Sequence, residues 1–194
     1  MRRIIIIGCL ILILMIHTVN AADKQPVVCT NTYALCNAAS CQSIPGMPDK
    51  VLCSCSIWKG KNIGFSTCEE RKEKQTQDGE TALVSTFSFG GSHYRYMTCP
   101  IGAPWATCLD KPCLINKQAP DTRKANCTCD VIRDQAFVTF AGECDTKNCT
   151  KTIWSGATIA GNQQLMRELT KVNDKTNLDH AACSINPNNK TGKD

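Results

Sequence analysis

The chain has 194 residues, with 22 basic against 17 acidic side chains and only 6% aromatic residues. This length fits one or two small domains, and so few aromatic side chains predict a thin apolar core. Basic residues are scattered among acidic ones, most visibly between Glu69 and Lys74, so the charge pattern excludes the basic footprint of a nucleic-acid-binding protein.

The first 21 residues follow the pattern of a cleavable signal peptide. Arg2 and Arg3 precede the aliphatic run Ile4 to Ile16, and Val19-Asn20-Ala21 offers short side chains where a signal peptidase cuts. We therefore predict cleavage after Ala21.

Two other interpretations of this leader are weaker. The apolar run has 13 residues, whereas a membrane-spanning helix needs about 20. A lipoprotein signal at Cys9 would leave only Ile4 to Ile7 as its apolar segment, which is too short. Cleavage one residue later, after Ala22, stays open. The sequence predicts a secreted or periplasmic protein with no membrane span after cleavage.

Fourteen of the 15 cysteines lie beyond the signal peptide, and this even number in an exported chain predicts up to seven disulfides. Each native bridge in such a domain contributes roughly 2–4 kcal/mol, so we expect reduction to unfold the protein. The predicted disulfide framework consists of Cys29, Cys36, Cys41, Cys53, Cys55, Cys68, Cys99, Cys108, Cys113, Cys127, Cys129, Cys144, Cys149 and Cys183.

The cysteine spacing repeats along the chain. Cys-x4-Cys occurs at 36/41 and again at 108/113, and Cys-x-Cys occurs at 53/55 and again at 127/129. Tyr33-Ala34 stands before the first Cys-x4-Cys segment as Trp105-Ala106 stands before the second. These matches in the same order predict two tandem, related cysteine modules of about 70 residues.

Four segments follow from this pattern: a signal peptide (1–21), a first cysteine module with its following strand segment (22–95), a second cysteine module (96–161), and a C-terminal helix with a polar tail (162–194). Cys149 and Cys183 fall outside the repeat, so we expect them to pair with each other. Within each module, six cysteines still allow 15 connectivities.

The first module is predicted to contain a β-hairpin. Residues 51–58 alternate apolar and polar side chains, as in a strand with one buried face. A turn is expected at 59–62, leading into a second strand at 64–67. The Cys-x4-Cys segment is expected to be a short helix or a turn, with Asn31 or Thr32 as a cap.

The second module repeats the hairpin, with a strand around 126–131, a turn at 133–135 and a strand at 136–141. Between the modules, 70–80 is expected to be an exposed loop and 82–89 a strand. A C-terminal helix is expected after an Asn162 cap, with an apolar face formed by Leu165, Met166, Leu169 and Val172.

The polar tail from 186 to 194 is expected to be disordered. The predicted fold class is a small disulfide-rich α+β protein, mainly β-hairpins with a C-terminal helix, in two tandem related cysteine modules.

Catalytic chemistry has little support in the sequence. Only His93 and His180 remain after processing, and a nucleophile for His93 would have to be Ser92 or Ser88. No nucleophile elbow surrounds them, so an exposed loop histidine is favoured over a catalytic one. Glu69 and Glu70 are adjacent and pair only if the chain bends there. The sequence favours a non-enzymatic protein but leaves a small secreted hydrolase open.

The Cys-x-Cys pairs also allow metal or redox hypotheses. Zinc sites prefer Cys-x2-4-Cys pairs joined by histidine, and histidines are scarce here. A thioredoxin-like βαβ pattern is also missing from the sequence, so structural disulfides are favoured. We expect no cofactor and no metal. Three sequons, at Asn126, Asn148 and Asn189, matter only if the source glycosylates its exported proteins.

Binding is the functional class that the sequence favours. Rigid, cross-linked modules present preorganised loops and lose little entropy on association. The expected role is to bind an unidentified extracellular or periplasmic macromolecule, and a secreted hydrolase inhibitor is the alternative. The predicted binding loops are 56–67 and 130–143, and the candidate contact residues are Trp58, Lys59, Lys61, Trp105 and Arg133.

Overall fold

The computed structural model describes residues 24–88, 95–115, 123–141, 143–172 and 183. The predicted signal peptide, His93, His180, the third sequon and the polar tail therefore lie outside the described residues. In the part that is described, no helix has both the length and the apolar character needed to cross a membrane.

The described chain is dominated by β-strands, which are held by seven disulfides and followed by one C-terminal helix. In residues 24–88, the first half, the strands are β1 (Val27–Leu35), β2 (Ser40–Ile44), β3 (Met47–Gly64), β4 (Lys74–Gln75) and β5 (Thr81–Thr86). In residues 95–183, the second half, they are β6 (Met97–Cys99), β7 (Trp105–Thr107), β8 (Pro112–Ile115), β9 (Lys124–Ile132), β10 (Phe137–Thr139) and β11 (Ile153–Thr158). A 3-10 helix spans Thr146–Thr150, and helix α1 spans Ile159–Val172.

Strand β3 confirms the alternation predicted at 51–58, but the turn expected at 59–62 is wrong. The strand runs on to Gly64, because β1 pairs with it over its whole length, from Val27 opposite Gly64 to Leu35 opposite Ser56. Cross-strand pairing outweighs local turn propensity there. Gly60 has a φ of 147° that a glycine tolerates within the strand. The second strand expected at 64–67 is also wrong, since the chain turns there instead.

The first Cys-x4-Cys segment forms the turn that was one of its two expected structures, and the cap expected at Asn31 or Thr32 is wrong. Asn31 and Thr32 lie inside β1, and a bend at 37–38 joins β1 to β2. In the second half, the bend at 134–135 and the following strand β10 agree with the prediction. The strand expected at 82–89 corresponds to β5.

Strand pairing closes into two rings that share the β3–β9 pair. One ring runs β3–β1–β5–β8–β9, and the other runs β9–β7–β11–β2–β3. Each ring therefore contains strands from both halves of the chain. Backbone N–H and C=O groups of one half are hydrogen-bonded to those of the other, so the two halves form one folded unit.

The register of the two rings corresponds residue by residue. Tyr33 faces Trp58 across β1–β3 as Trp105 faces Ile132 across β7–β9. The same holds for the cysteines, since Cys41 faces Cys53 across β2–β3 and Cys113 faces Cys127 across β8–β9. Strands β5 and β11 also correspond, because β5 runs parallel to β1 and β11 runs parallel to β7.

Four of the seven disulfides have both of their cysteines in the main hydrophobic core. All fourteen predicted framework cysteines are bridged, in the pairs Cys29–Cys68, Cys36–Cys55, Cys41–Cys53, Cys99–Cys149, Cys108–Cys129, Cys113–Cys127 and Cys144–Cys183. The predicted bridge between Cys149 and Cys183 is wrong. The 3-10 helix places Cys149 beside β6 and Cys99, while Cys183 donates its backbone N–H to Tyr96 and reaches Cys144 instead.

Helix α1 forms where it was predicted but starts earlier. The Thr158 hydroxyl accepts a hydrogen bond from the Gly161 N–H (3.0 Å), so Thr158 is the cap, and the predicted cap Asn162 lies buried inside the helix. Leu165 and Leu169 pack into the main core as expected from their spacing.

The segment 70–80 is largely exposed, but it contains one buried residue. Arg71 is fully buried, and its guanidinium donates to Asn62 Oδ1 (3.0 Å), the Val27 carbonyl (2.6 Å) and the Ser66 carbonyl (3.0 Å). Burial lowers the pKa of this guanidinium. The expectation of a fully solvated loop is therefore wrong at Arg71, which ties the loop to the start of β1.

Candidate binding surface

The outer side of the sheet at β2, β3, β9 and β8 carries a patch without charge. Side chains alternate along each strand, so the residues between the buried cysteines point outward. Two cross-strand rows result: Gln42, Leu52 and Thr128 in one, and Ser54, Asn126 and Leu114 in the next. We call these six residues the uncharged face.

Two leucines are solvent-exposed on this face. The exposed fraction is 38% for Leu52 and 41% for Leu114, although both lie in the middle of paired strands. Their neighbours on the face carry hydroxyl or amide groups, which can donate and accept hydrogen bonds. The uncharged face thus combines apolar contact area with polar groups, as the central part of many protein interfaces does.

The uncharged face has a rigid support. Directly behind it, Cys41–Cys53 and Cys113–Cys127 join residues that face each other on neighbouring strands. All four of these cysteines are buried. A surface fixed by buried bridges loses little conformational freedom when it binds.

Charged groups lie at the two ends of the face. At one end, the Asp130 carboxylate pairs with Lys50 and with Lys111 (2.5 Å), and these hydrogen bonds lower the pKa of Asp130 below its ordinary value. At the other end, Lys124 Nζ donates to Ser56 Oγ (2.9 Å). The face is therefore bounded by lysines, which disfavour a basic partner at its ends.

Three of the predicted contact residues lie together on the last third of β3. Trp58 is 41% exposed, and Lys59 and Lys61 are exposed. Lys61 Nζ donates to the Val172 carbonyl (2.9 Å) at the end of α1, where a cation is favoured by the helix dipole. The segment 56–64 is strand and not the loop that was expected, so its side chains are held by β1.

The other two predicted contact residues lie elsewhere. Arg133 is at the opposite end of β3, where it donates to the Pro48 carbonyl (2.7 Å) and pairs with Asp49 (3.3 Å). Trp105 is only 1% exposed, stacks on Phe137 with 5.4 Å between ring centroids, and belongs to a second small core. Trp105 is therefore not available for contact, and the five residues do not form one surface.

Groups considered for catalysis have structural partners. Ser88 is buried, and its hydroxyl shares a 2.6 Å hydrogen bond with the Tyr33 hydroxyl, whose pKa is raised by burial. Glu70 accepts hydrogen bonds from the Thr67 N–H (2.8 Å) and hydroxyl (2.9 Å), which lower its pKa. Glu69 pairs with Lys72 (2.5 Å), so the two adjacent carboxylates do not act as a pair.

Sulfur atoms converge at two places in the described residues, but as disulfides. Cys36, Cys113 and Cys127 form one group and Cys41, Cys53 and Cys108 form the other, with the sulfurs in each group within 4.8 Å of one another. All six are buried and bridged. Metal binding requires thiolates, so these groups offer a metal no ligand while the bridges are intact.

Comparisons with protein-family models, with curated proteins and with solved structures give no match for this chain. The description of its site therefore depends on geometry. The uncharged face was not predicted from the sequence. Leu52 on β3 and Leu114 on β8 lie on either side of β9 only because of the register in which β9 pairs with these two strands.

Proposed function

We propose that this protein is exported by the predicted signal peptide and acts as a non-enzymatic protein that binds another macromolecule through the uncharged face. The observation that carries the proposal is the exposure of Leu52 and Leu114 on a charge-free, disulfide-backed sheet. The seven disulfides indicate an oxidising environment, such as the periplasm or the extracellular space.

Contact energy at such a surface comes mainly from the leucines. Removing apolar area from water contributes about 25 cal/mol per Å², and the surrounding hydroxyl and amide groups fix the orientation of a partner. The lysines at both ends, Lys50 and Lys124, favour acidic groups on the rim of that partner.

The test compares the natural protein with Leu52→Lys/Leu114→Lys as bait. Each mature protein is immobilised with its bridges intact, and extracellular or periplasmic fluid from the source cells is passed over it. A partner retained by the natural protein should be lost from the double variant, because two charges then oppose the apolar contact.

The control is Ile101→Lys, since Ile101 is 69% exposed but lies in a turn away from the uncharged face. This variant should retain the same partner. Equal retention by the double variant would contradict the assignment of the face, and loss of the partner by the control would contradict its specificity.

We propose a hydrolase inhibitor as the second function, because the exposed turn at 133–135 is held in place by contacts with β3. Arg133, Asp134 and Gln135 are exposed, and the two contacts of Arg133 to Pro48 and Asp49 fix the turn from the side. Such a turn could occupy an active-site cleft with little loss of entropy. Inhibition of a panel of secreted hydrolases that is lost in Asp134→Lys would support this role, and no inhibition by the natural protein would contradict it.

We also infer that the two halves derive from duplication of one cysteine module. The matched spacing of the cysteines and the equal registers of β1–β3 with β7–β9 and of β2–β3 with β8–β9 support this origin. The modules then share their rings and do not stand side by side as separate bodies.

A further inference from the structure

The β3–β9 pair is symmetric about one residue pair. Cys53 faces Cys127, and on either side of it Val51 faces Cys129 and Cys55 faces Ala125. Because Cys53-x-Cys55 corresponds in spacing to Cys127-x-Cys129, a two-fold rotation through the central pair places each half on the other. This is the geometry of an isologous interface between two copies of one unit.

Each half also lends a strand to the ring of the other. Strand β2 of the first half pairs with β11, where Cys41 faces Ile153, and β8 of the second half pairs with β5, where Cys113 faces Leu83. Exchange of an equivalent strand in both directions is typical of intertwined dimers. We call the pairs β3–β9, β2–β11 and β5–β8 the inter-half interface.

Side chains and backbone groups outside these pairs join the halves as well. Ala39 N–H donates to Ser155 Oγ (2.7 Å), and Ser155 N–H donates to the Ala39 carbonyl (2.9 Å). Asp110 accepts from the Phe65 N–H (2.6 Å). The ion pair between Lys50 and Asp130 crosses the interface too.

No disulfide crosses the inter-half interface, and all fourteen cysteines of the mature chain are accounted for. Three bridges lie within residues 29–68, and four lie within residues 99–183. Apart from the single peptide connection between Cys68 and Cys99, the halves are held by hydrogen bonds, packing and ion pairs alone.

We propose that the inter-half interface is a complete protein–protein interface whose partner is a second cysteine unit of the same fold, so that this chain is a two-part complex on one peptide. The peptide connection keeps the parts together but is not needed for their recognition. This inference goes beyond the proposed binding function and does not depend on it, because it concerns contacts between the two halves of the chain and not contacts with a separate partner.

The test cuts the connection in the folded, full-length mature protein. A protease recognition sequence is inserted between Gly90 and Gly91, in the segment that follows β5 and precedes β6, so that each piece keeps all the strands of its own half. After cleavage, the protein should keep its mass in native size-exclusion chromatography. It should separate into two pieces in denaturant without reductant, since no bridge joins them.

Reassembly is the decisive step. The separated pieces, with their bridges intact, should return to a one-to-one complex when denaturant is diluted, and the yield should rise with protein concentration. Pieces that stay apart, or a cut protein that falls apart in native buffer, would overturn the proposal. A second version with the recognition sequence between Ser92 and His93 cuts the same connection elsewhere and excludes an effect of the insertion site.

A charge reversal in the cut protein tests the contacts themselves. Lys50→Glu places a carboxylate opposite Asp130 across the interface and should weaken association roughly two- to tenfold. Lys72→Glu is the matched control, because Lys72 pairs with Glu69 within the first half and should leave association unchanged. If the two variants have equal dissociation constants, the ion pair between Lys50 and Asp130 does not contribute to the association of the two pieces. That result would contradict its assignment to the interface.

Discussion

Cys36 Sγ and Cys127 Sγ lie 3.4 Å apart although they belong to different disulfides and different halves of the chain. The two bridges are in van der Waals contact inside one ring, and all four of their cysteines are at most 1% exposed. A free sulfur in this group would therefore lie beside an intact bridge of the other half, at the distance from which thiol–disulfide exchange begins.

The first prediction concerns Cys55→Ser, which leaves Cys36 without its partner. The Cys36 thiolate should attack Cys127, form a Cys36–Cys127 bridge and release the Cys113 thiolate, with no external oxidant or reductant needed. Alkylation of the folded variant in mild denaturant, followed by peptide mapping, should then find the label mainly on Cys113. In the cut protein, the new bridge should hold the two pieces together without reductant.

Cys68→Ser provides the matched control. It frees Cys29, which belongs to neither group of converging sulfurs among the described residues. The label should stay on Cys29, and the cut pieces should still separate. If Cys55→Ser carries its label on Cys36 alone, contact between the bridges does not lead to exchange.

A second prediction concerns two buried threonines. Thr86 and Thr139 are both fully buried, but the Thr86 hydroxyl is the one buried side-chain polar atom in the described residues without a hydrogen-bond partner. The Thr139 hydroxyl donates to the Ser155 carbonyl (2.8 Å) and accepts from the Ala141 N–H (3.2 Å). Thr86→Val should be neutral or should stabilise by up to about 1 kcal/mol, because it removes an unpaired group.

Thr139→Val, the matched substitution, should instead destabilise by about 1–3 kcal/mol, since it removes the hydroxyl that donates to the Ser155 carbonyl and accepts from the Ala141 N–H. Denaturant unfolding with the bridges intact measures both changes. Equal losses of stability would show that the hydrogen bonds of Thr139 contribute nothing beyond packing.

A third prediction concerns Arg71. Arg71→Met keeps much of the side-chain volume but leaves Asn62 Oδ1 and the carbonyls of Val27 and Ser66 without their donor. An unpaired buried acceptor costs about 1–3 kcal/mol. Asn62 is buried and Val27 and Ser66 are half-buried, so we expect a loss of roughly 3 kcal/mol in the free energy of unfolding. Lys72→Met, one residue further along at an exposed position, should change it by less than about 0.5 kcal/mol.

A fourth prediction is a pH dependence at Asp130. Its pKa is lowered in the folded protein by hydrogen bonds from Lys111 and Lys50, so the carboxylate stabilises the fold above the unfolded pKa of about 3.9. That contribution is lost as the pH falls through the lower, folded pKa. Because the side chain is 32% exposed, the contribution is at most about 1 kcal/mol.

Asp130→Asn should therefore lower stability near neutral pH, and the difference should shrink as the pH falls below the unfolded pKa of about 3.9. Urea unfolding of both proteins across this range gives the comparison, with Asp78→Asn in an exposed turn as the control. A loss of the same size at both ends of the range would mean that Asp130 acts through packing and not through its charge.

Local pattern was sufficient for several elements. The apolar–polar alternation around Cys53 and Cys55, the turn after Arg133 and the apolar face of α1 could be predicted because each depends on neighbours a few residues away. The same holds for the oxidised state of the fourteen cysteines, which could be predicted from their even number beyond the predicted signal peptide.

Contacts between distant residues decided the rest. Lys59 and Lys61 are strand and not turn because β1 pairs beside them, and Arg71 is buried because Val27 and Asn62 accept its hydrogen bonds. Such partners lie many residues away along the chain, so local propensity carries no information about them.

By itself, the sequence determined which residues are bridged cysteines, where the main strand alternates and that the framework repeats in spacing. Only the tertiary structure decided which cysteines pair, that each ring draws strands from both halves, and that Leu52 and Leu114 open onto one uncharged face. The physical reason is that strand register is fixed between chain segments, and a shift of one residue would turn every side chain to the opposite face.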